Sequence, residues 1–230
     1  MPQPFHIVFA LFPGVTHLDF TGPHQILCRL PGAQVVVASE AGGEIEADGL
    51  VFAHLPRLAD IERCDLLCVP GGFGTTQAMA DEAFLDELRR LAGGARYVTS
   101  VCTGSLVLGA AGLLTGKRAA CHWAWRDQLA LFGATPDPAR VVRDGNVFTG
   151  GGVTAGIDFA LTVVAEVAGE ETAQAIQLAV EYAPDPPFHA RRPETAPPAV
   201  LERITALYGK GMDERWAAAR KAAGALLTNA

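Results

Sequence analysis

The stretch Val98-Thr-Ser-Val-Cys-Thr-Gly-Ser-Leu-Val-Leu-Gly-Ala110 decides the predicted fold of this chain. A short β-type run over 96–101 leads to Cys102, and a small, apolar, helix-like segment over 105–111 follows it. The thiol is therefore expected in a sharp turn between a strand and a helix. A side chain in that turn lies at the positive end of the helix dipole, which favours the thiolate. The stretch predicts a nucleophilic cysteine with a lowered pKa.

Strands and helices alternate along the rest of the chain, which predicts an α/β fold with a mostly parallel sheet sandwiched by helices. Leu66–Val69 is a continuously apolar run, as expected of a buried parallel strand. Two β-hairpins are expected around Asp48-Gly49 and Asp144-Gly145-Asn146. The expected helices cover residues 24–30, 81–92, 105–111, 123–132, 154–168, 170–182, 200–208 and 213–227.

Composition and charge exclude several classes of protein. Half of the 230 residues are apolar and 19% are charged, which describes a globule with a sizeable core. The net charge of −7 argues against binding to nucleic acid. No apolar run has membrane-spanning length, and the N-terminus lacks the features of a signal peptide. We expect a cytoplasmic protein that binds neither nucleic acid nor membrane.

One change of composition suggests how the chain is divided. Residues 183–198 are rich in proline and are expected to form a surface connection. We therefore predict a single α/β catalytic domain over residues 1–198 and a C-terminal helical extension over 199–230. The extension is expected to pack on that domain or on the partner in a dimer.

The cysteines and histidines give no sign of a metal site. The five cysteines are odd in number and include no CxxC pair, so Cys102 alone has a functional context. No two histidines have the spacing of metal ligands beside a carboxylate, and no metal is predicted. His122, the histidine nearest to Cys102 in the sequence, is interpreted as structural.

Four turn clusters follow predicted strands and should meet at one edge of the sheet, where open α/β folds bind ligands. They are residues 13–19, Pro70-Gly71-Gly72, Val101-Cys102-Thr103 and 150–154. Asp19 could cap the following helix or face Cys102 as a general acid or base. The residues alone leave both interpretations open. The amides after Cys102 could bind a developing anion, and Gly71-Gly72 would permit close approach of the backbone to a substrate or an oxyanion.

The strings 12–23, 98–114 and 149–161 resemble the isocyanide hydratases of the PfpI-like superfamily. The similarity extends from Phe5 to about residue 198. It implies a flavodoxin-like, glutamine-amidotransferase-like fold, a homodimer and a protein that needs no cofactor. The implied reaction is a lyase-type hydration, in which an isocyanide and water give an N-substituted formamide through a thioimidate on the cysteine.

The resemblance also implies roles for particular residues. Cys102 matches the nucleophile, Asp19 the acid that works with it, and Thr103 the threonine that this acid can contact. In the binding part of the site, Gly72 matches a turn glycine whose amide faces the thiol. Gly151 and Val153 match the segment whose helix packs against the nucleophile.

Two alternatives remain open from the sequence. One is a glyoxalase-, deglycase- or peptidase-like enzyme of the same superfamily, although Thr103 stands where the peptidases usually carry histidine. The other is a redox sensor or regulator domain, which would use oxidation of Cys102 without turnover.

Overall fold

A computed structural model describes residues 4–228 of the chain. The strands within them are β1 (Phe5–Leu11), β2 (Ala33–Ser39), β3 (Gly43–Ala47), β4 (Leu50–Leu55), β5 (Leu66–Val69), β6 (Tyr97–Val101), β7 (Arg118–Ala119), β8 (Thr135–Pro136), β9 (Val141–Asp144) and β10 (Val147–Gly150). The α-helices are α1 (His17–Leu27), α2 (Thr75–Ala78), α3 (Glu82–Gly94), α4 (Gly104–Ala110), α5 (Ala155–Ala168), α6 (Glu170–Ala179), α7 (Pro198–Gly209) and α8 (Met212–Thr228). Short 3-10 helices cover Leu58–Asp60, Arg126–Phe132 and Pro193–Thr195.

The main sheet has the strand order β2-β1-β5-β6-β10-β9. All neighbouring pairs are parallel except β10 and β9, which form the predicted second hairpin. Numbered along the chain, the parallel strands run 2-1-3-4-5, the flavodoxin-like order. The order reverses between β1 and β5, and ligands bind at the carboxyl ends of strands beside such a reversal. The prediction of a mostly parallel α/β fold is confirmed.

Helices cover both faces of this sheet. Right-handed crossovers place α1 and α3 on opposite faces, because their connections run in opposite directions along the sheet. On one face α1 packs against α5, and on the other α3 packs against α4. The buried side chains of α3 recur at the three- and four-residue spacing of one helical face: Phe84, Leu85, Leu88 and Leu91.

The first helix begins earlier than its sequence suggests. The prediction placed its start after Pro23, yet α1 begins at His17 and contains this proline. Proline lacks a backbone N–H and usually ends a helix, but here the packing of α1 against α5 keeps the helix continuous through Pro23. A Cβ added to Gly156 of α5 would lie 2.9 Å from Cδ of Pro23, so the two helices meet closely at this point. The early start places Asp19 in the first turn of α1.

Other elements differ less from the prediction. The helix expected over 123–132 is a 3-10 helix over Arg126–Phe132, α6 ends at Ala179, and the short helix α2 was not predicted. The first hairpin is confirmed, since β3 and β4 pair across Asp48 and Gly49. Both turn residues have positive φ, 52° and 82°, as a type I′ turn requires.

The C-terminal helices return to the domain. Helix α8 contacts α2, α4 and the 3-10 helix over Arg126–Phe132. The predicted division at residue 198 stays a prediction, and residues 1–3 and 229–230 lie outside the described residues. No helix described between residues 4 and 228 is both long enough and apolar enough to cross a bilayer.

Candidate active site

Cys102 occupies the predicted turn between β6 and α4, in a backbone conformation unusual for its residue type. Its φ is +60°, and left-handed backbone costs an L-residue about 1 to 2 kcal/mol. The surrounding backbone holds the turn: the Cys102 N–H donates to the Gly150 carbonyl at 3.0 Å. A Cβ added to Gly104 would lie 2.1 Å from the Val69 carbonyl oxygen, so only glycine allows α4 to begin so close to β5.

Asp19 lies beside this turn and is fully buried. Its Oδ2 accepts a hydrogen bond from the Gly71 N–H at 3.0 Å, and its carboxyl lies close enough to the Cys102 thiol for each group to act on the pKa of the other. Its Oδ1 has no hydrogen-bond partner among the described residues. Thr16 occupies the N-cap position of α1, so the capping interpretation of Asp19 is wrong. The fold instead brings the carboxyl and the thiol together.

The carboxyl and the thiol act on each other's protonation. Burial raises the pKa of Asp19 from 3.8 to about 7, against the hydrogen bonds from Cys102 and Gly71. Burial, followed by the negative charge of Asp19, raises the pKa of the Cys102 thiol well above its usual value. The lowered pKa predicted for this thiol is therefore wrong, because desolvation outweighs the dipole of the short helix α4. Above pH 7 the pair retains one proton, and a thiolate exists when Asp19 carries it.

Thr103 joins the turn after β5 to the turn that holds the thiol. Its Oγ1 accepts a hydrogen bond from the Gly72 N–H at 2.9 Å and shares another with the Thr75 hydroxyl at 2.8 Å. One expectation is corrected here. The Gly72 amide donates to Thr103 Oγ1 instead of facing the thiol. Asp19 Oδ2 accepts from the Gly71 N–H, and the contact of Asp19 with Thr103 stays a prediction. The backbone amide that lowers the pKa of the thiol, against the larger effect of burial, is that of Thr103.

Gly71 lies beside both the Asp19 carboxyl and Thr103. A Cβ added there would lie 2.4 Å from the Thr103 backbone nitrogen, 2.6 Å from its Oγ1 and 2.9 Å from Oδ2 of Asp19. No side chain fits without moving one of these groups. The approach of a substrate or an oxyanion to the Gly71-Gly72 backbone stays a prediction.

The glycine segment after β10 also reaches the site. The Gly150 carbonyl binds the backbone of Cys102, as described above, whereas the Gly151 N–H donates to the Arg140 carbonyl at 2.9 Å. Val153 is partly buried against the core. No hydrogen bond between its amide and the thiol is found within the described part of the chain, so the binding roles of Gly151 and Val153 stay predictions.

Four aromatic rings cluster beside the glycine segment after β10, where a Cβ added to Gly152 would lie 3.5 Å from Cδ2 of His122. The ring centroid of Trp125 lies 4.7 Å from that of His122 and 4.8 Å from that of Tyr208. Trp123 completes the cluster, with its centroid 5.9 Å from that of Tyr208. Burial lowers the pKa of His122 to about 4, so its ring is neutral at pH 7. Its Nδ1 accepts the Ala124 N–H at 3.3 Å, which leaves the ring proton on Nε2.

The C-terminal helices supply two side chains that the sequence did not indicate. Tyr208 comes from α7, and its pKa is raised by burial and then by the charge of Cys102. Arg215 comes from α8 and is 5% exposed. Its guanidinium carbon lies 4.6 Å from the ring centroid of Trp125. An arginine in an alanine-rich helix resembles an ordinary solvent-exposed residue, so no local pattern would have selected it.

Comparison with known proteins places this arrangement in a family. A sequence model of the DJ-1/PfpI family matches residues 6–166, a span that holds both Asp19 and Cys102. The chain belongs to the DJ-1/PfpI family. The isonitrile hydratase of Pseudomonas putida is 54% identical over 197 residues, covering 85% of this chain and 86% of that protein. Protein dj-1beta of Drosophila melanogaster is 30% identical over 171 residues, covering 72% of this chain and 91% of that protein.

Solved structures of the DJ-1/PfpI family share the fold. A THiJ/PfpI family protein from Pseudomonas syringae superimposes with a TM-score of 0.91 at 40% identity, covering 94% of this chain and 91% of that one. The transcriptional regulator CdhR of Pseudomonas aeruginosa is 30% identical over 184 residues, which make up 53% of its length. Because the chain is similar to part of a transcriptional regulator as well, over 76% of its own length, membership of the family alone does not decide the activity.

Proposed function

We propose that this protein hydrates isocyanides (isonitriles) to N-substituted formamides, with Cys102 as nucleophile and Asp19 as general acid and base. The observation that carries the proposal is the 54% identity with an isonitrile hydratase across most of both chains. The site supports it, because a buried carboxyl that follows β1 and a buried thiol that follows β6, the strands on either side of β5, act on each other's pKa.

The first step joins the thiolate to the terminal isocyanide carbon. Attack by the Cys102 sulfur forms the C–S bond, and Asp19 gives the shared proton to the same carbon. The product is an S-linked thioimidate, R–N=CH–S, and the carboxyl is left as a carboxylate. Oδ1 of Asp19, which has no partner among the described residues, is the atom free to face the substrate in this step.

The second step adds water and releases the product. The Asp19 carboxylate takes a proton from water as the hydroxyl bonds to the thioimidate carbon, and it passes that proton to the substrate nitrogen. The adduct, R–NH–CH(OH)–S, then gives its hydroxyl proton to the carboxylate as C=O forms. The C–S bond breaks with its electron pair on sulfur. The formamide leaves, and the pair again consists of a thiolate and a protonated carboxyl.

The experiment that tests the proposal is incubation with an aryl isocyanide and detection of the formamide. Cys102→Ala should abolish the product, while Cys28→Ala, a matched control at an exposed free thiol, should retain it. Intact-protein mass spectrometry of the wild type during turnover should show an adduct of one substrate mass on Cys102. Formamide production by Cys102→Ala at the wild-type rate would refute the assigned nucleophile.

The same assay separates the alternatives. A glyoxalase- or deglycase-like enzyme would consume methylglyoxal faster than the isocyanide. A sensor or regulator domain would convert neither compound, although Cys102 would still be oxidised by peroxide. Formamide formation that depends on Cys102 excludes both as the main activity.

Assembly and location belong to this proposal as well. The resemblance implies a homodimer, and we extend the proposal to a cytoplasmic location. Sedimentation velocity at micromolar concentration tests the first statement, and fractionation of the native host tests the second.

A further inference from the structure

A cavity of about 150 Å³ lies between the C-terminal helices and the segment that follows β5. Its lining includes three aromatic side chains, those of Phe73, Trp125 and Tyr208. The Phe73 ring lies at 88° to that of Trp125, with the two centroids 6.3 Å apart, and Phe73 is 70% exposed. A cavity of this size holds one benzene ring, and aromatic walls attract a further ring. The cavity therefore has the size and the lining for an aryl group.

Arg215 also lines this cavity and is 5% exposed. Its Nε donates to the Thr76 hydroxyl and its Nη2 to the Phe73 carbonyl, both at 3.1 Å. Its Nη1 is buried with no acceptor among the described residues, and no carboxylate within residues 4–228 forms an ion pair with the guanidinium. A buried charge is costly unless it is paired, so this guanidinium is suited to a ligand that carries a negative charge.

The other polar side chains of the lining are compatible with an anionic ligand. Lys210 and Glu214 have opposite charges, and both are exposed, so water and salt screen them more than they screen the buried Arg215. The Thr76 hydroxyl, which accepts from Arg215, can donate its own proton to a ligand oxygen. A guanidinium and a hydroxyl donor together suit a carboxylate.

The segment after β5 connects the cavity to the cysteine turn. The Gly72 N–H and the Thr75 hydroxyl bond to Thr103 Oγ1 at 2.9 and 2.8 Å, and Thr103 directly follows Cys102. The residues that follow Gly72 and Thr75 in the chain are both part of the lining. Because consecutive Cα atoms are only about 3.8 Å apart, this part of the lining lies beside the turn.

The aromatic part of the lining connects to the same turn from β10. The ring centroid of Trp125 lies 4.7 Å from that of His122, and a Cβ added to Gly152 would lie 3.5 Å from Cδ2 of His122. Two residues earlier, the Gly150 carbonyl accepts the Cys102 N–H at 3.0 Å. The cavity thus borders two backbone segments that are bonded to the cysteine turn.

We propose that this cavity binds the substituent of the isocyanide, and that the preferred substituent is an aromatic ring that carries a carboxylate. The ring lies against Phe73, Trp125 and Tyr208, and the carboxylate pairs with Arg215. An isocyanide group is linear, so at the para position it extends away from the carboxylate and toward the cysteine turn. The inference rests on the proposed function, because it takes an isocyanide as the substrate.

The test is the binding of 4-formamidobenzoate, the product of such a substrate, measured by isothermal titration calorimetry. Formanilide, which has the same ring and formamide without the carboxylate, is the reference ligand. The wild type should bind 4-formamidobenzoate about tenfold more tightly, the effect of one hydrogen-bonded charge pair. Arg215→Gln should remove this preference. Arg220→Gln is the matched control and should keep it, since Arg220 lies on the same helix with its guanidinium carbon 5.4 Å from the ring centroid of Trp216.

A second pair of variants keeps the arginine and so protects the test against misfolding. Thr76→Asp would place a carboxylate beside Nε of Arg215, neutralise the cation and remove the preference as well. Thr76→Asn, the uncharged counterpart, should keep the preference for 4-formamidobenzoate.

The aromatic part of the site has its own pair of variants. Phe73→Ala removes one wall and should weaken the binding of both ligands by about threefold to tenfold, with the carboxylate preference unchanged. Phe188→Ala is the matched control, because Phe188 is 77% exposed and does not line the cavity. Its affinities should equal those of the wild type.

Two further measurements relate the cavity to the nucleophile. Saturating 4-formamidobenzoate should slow the alkylation of Cys102 by iodoacetamide, followed by peptide mass spectrometry, and leave the exposed Cys28 unaffected. The kcat/KM for 4-isocyanobenzoate should exceed that for phenyl isocyanide about tenfold in the wild type, and Arg215→Gln should abolish the difference.

The proposal is overturned if the wild type binds 4-formamidobenzoate and formanilide equally. It is also overturned by a carboxylate preference that survives in both Arg215→Gln and Thr76→Asp, or by an alkylation rate of Cys102 that saturating ligand does not change. Binding and alkylation use no isocyanide. Failure to hydrate either isocyanide would therefore refute the proposed function, while the binding assays alone would still decide whether the cavity is a site for an aryl carboxylate.

Discussion

Replacing Asp19 with asparagine should stabilise the protein above neutral pH while it abolishes turnover. Asp19 is fully buried, and desolvation is the main reason that its pKa is raised from 3.8 to about 7. A carboxyl with a higher pKa in the folded than in the unfolded chain binds its proton more tightly when folded. Its contribution to stability is complete below the unfolded pKa and is lost as the pH rises through about 7.

The size of the effect follows from the same values. Each pKa unit corresponds to about 1.36 kcal/mol, so the full loss is about 4 kcal/mol, of which about 3 kcal/mol falls between pH 5 and pH 8. Asparagine has no proton to lose in this range, and its amide oxygen can still accept the Gly71 N–H. The free energy of unfolding of Asp19→Asn, relative to the wild type, should therefore rise by about 3 kcal/mol over this interval.

Urea unfolding, followed by tryptophan fluorescence at several pH values, measures this difference. His122 acts in the opposite direction, because its pKa is lowered to about 4 and its contribution to stability grows as the pH rises toward 6.5. Both proteins contain His122, so subtraction removes its effect. Glu82→Gln controls for the loss of one charge at a side chain that is 59% exposed. A difference between wild type and Asp19→Asn that stays constant from pH 5 to pH 8 would refute the reasoning.

Three further predictions concern the same region. The kcat/KM for hydration of an aryl isocyanide should rise through about pH 7 as the Asp19–Cys102 pair loses its first proton, and Asp19→Asn should lack this rise in a stopped-time formamide assay. Gly71→Ala should abolish turnover and lower the free energy of unfolding by about 1 to 3 kcal/mol, whereas Gly93→Ala, with nothing within 4 Å of the added Cβ, should cost nothing in urea unfolding. Ser105→Ala should destabilise the protein by about 1 to 3 kcal/mol in the same assay, because the buried Ser105 hydroxyl donates to the Ala120 carbonyl at 2.6 Å; an unchanged midpoint would contradict this.

Local chemistry made much of the fold predictable. The continuously apolar Leu66–Val69, the Asp48-Gly49 turn and the strand-to-helix change at Cys102 are patterns over a few residues, and each is confirmed. The meeting of the turn clusters at one edge of the sheet was also predictable, because the carboxyl ends of parallel strands lie at the same edge. Pro23 misled the prediction of α1, because its cost to the helix is offset by packing against Gly156, which is far away in the sequence.

The sequence by itself determined that the chain forms a mostly parallel α/β sheet. It also determined that Cys102 lies in a turn between a strand and a helix, at the same edge of the sheet as the glycine-containing turns. Only the tertiary structure decided the chemistry of that thiol. Burial depends on every element packed around the site, and it raises the pKa of Cys102 where the local dipole alone would lower it. The placement of Asp19 beside the Cys102 turn and the burial of Arg215 of α8 against Trp125 likewise depend on contacts between distant segments, which local patterns do not encode.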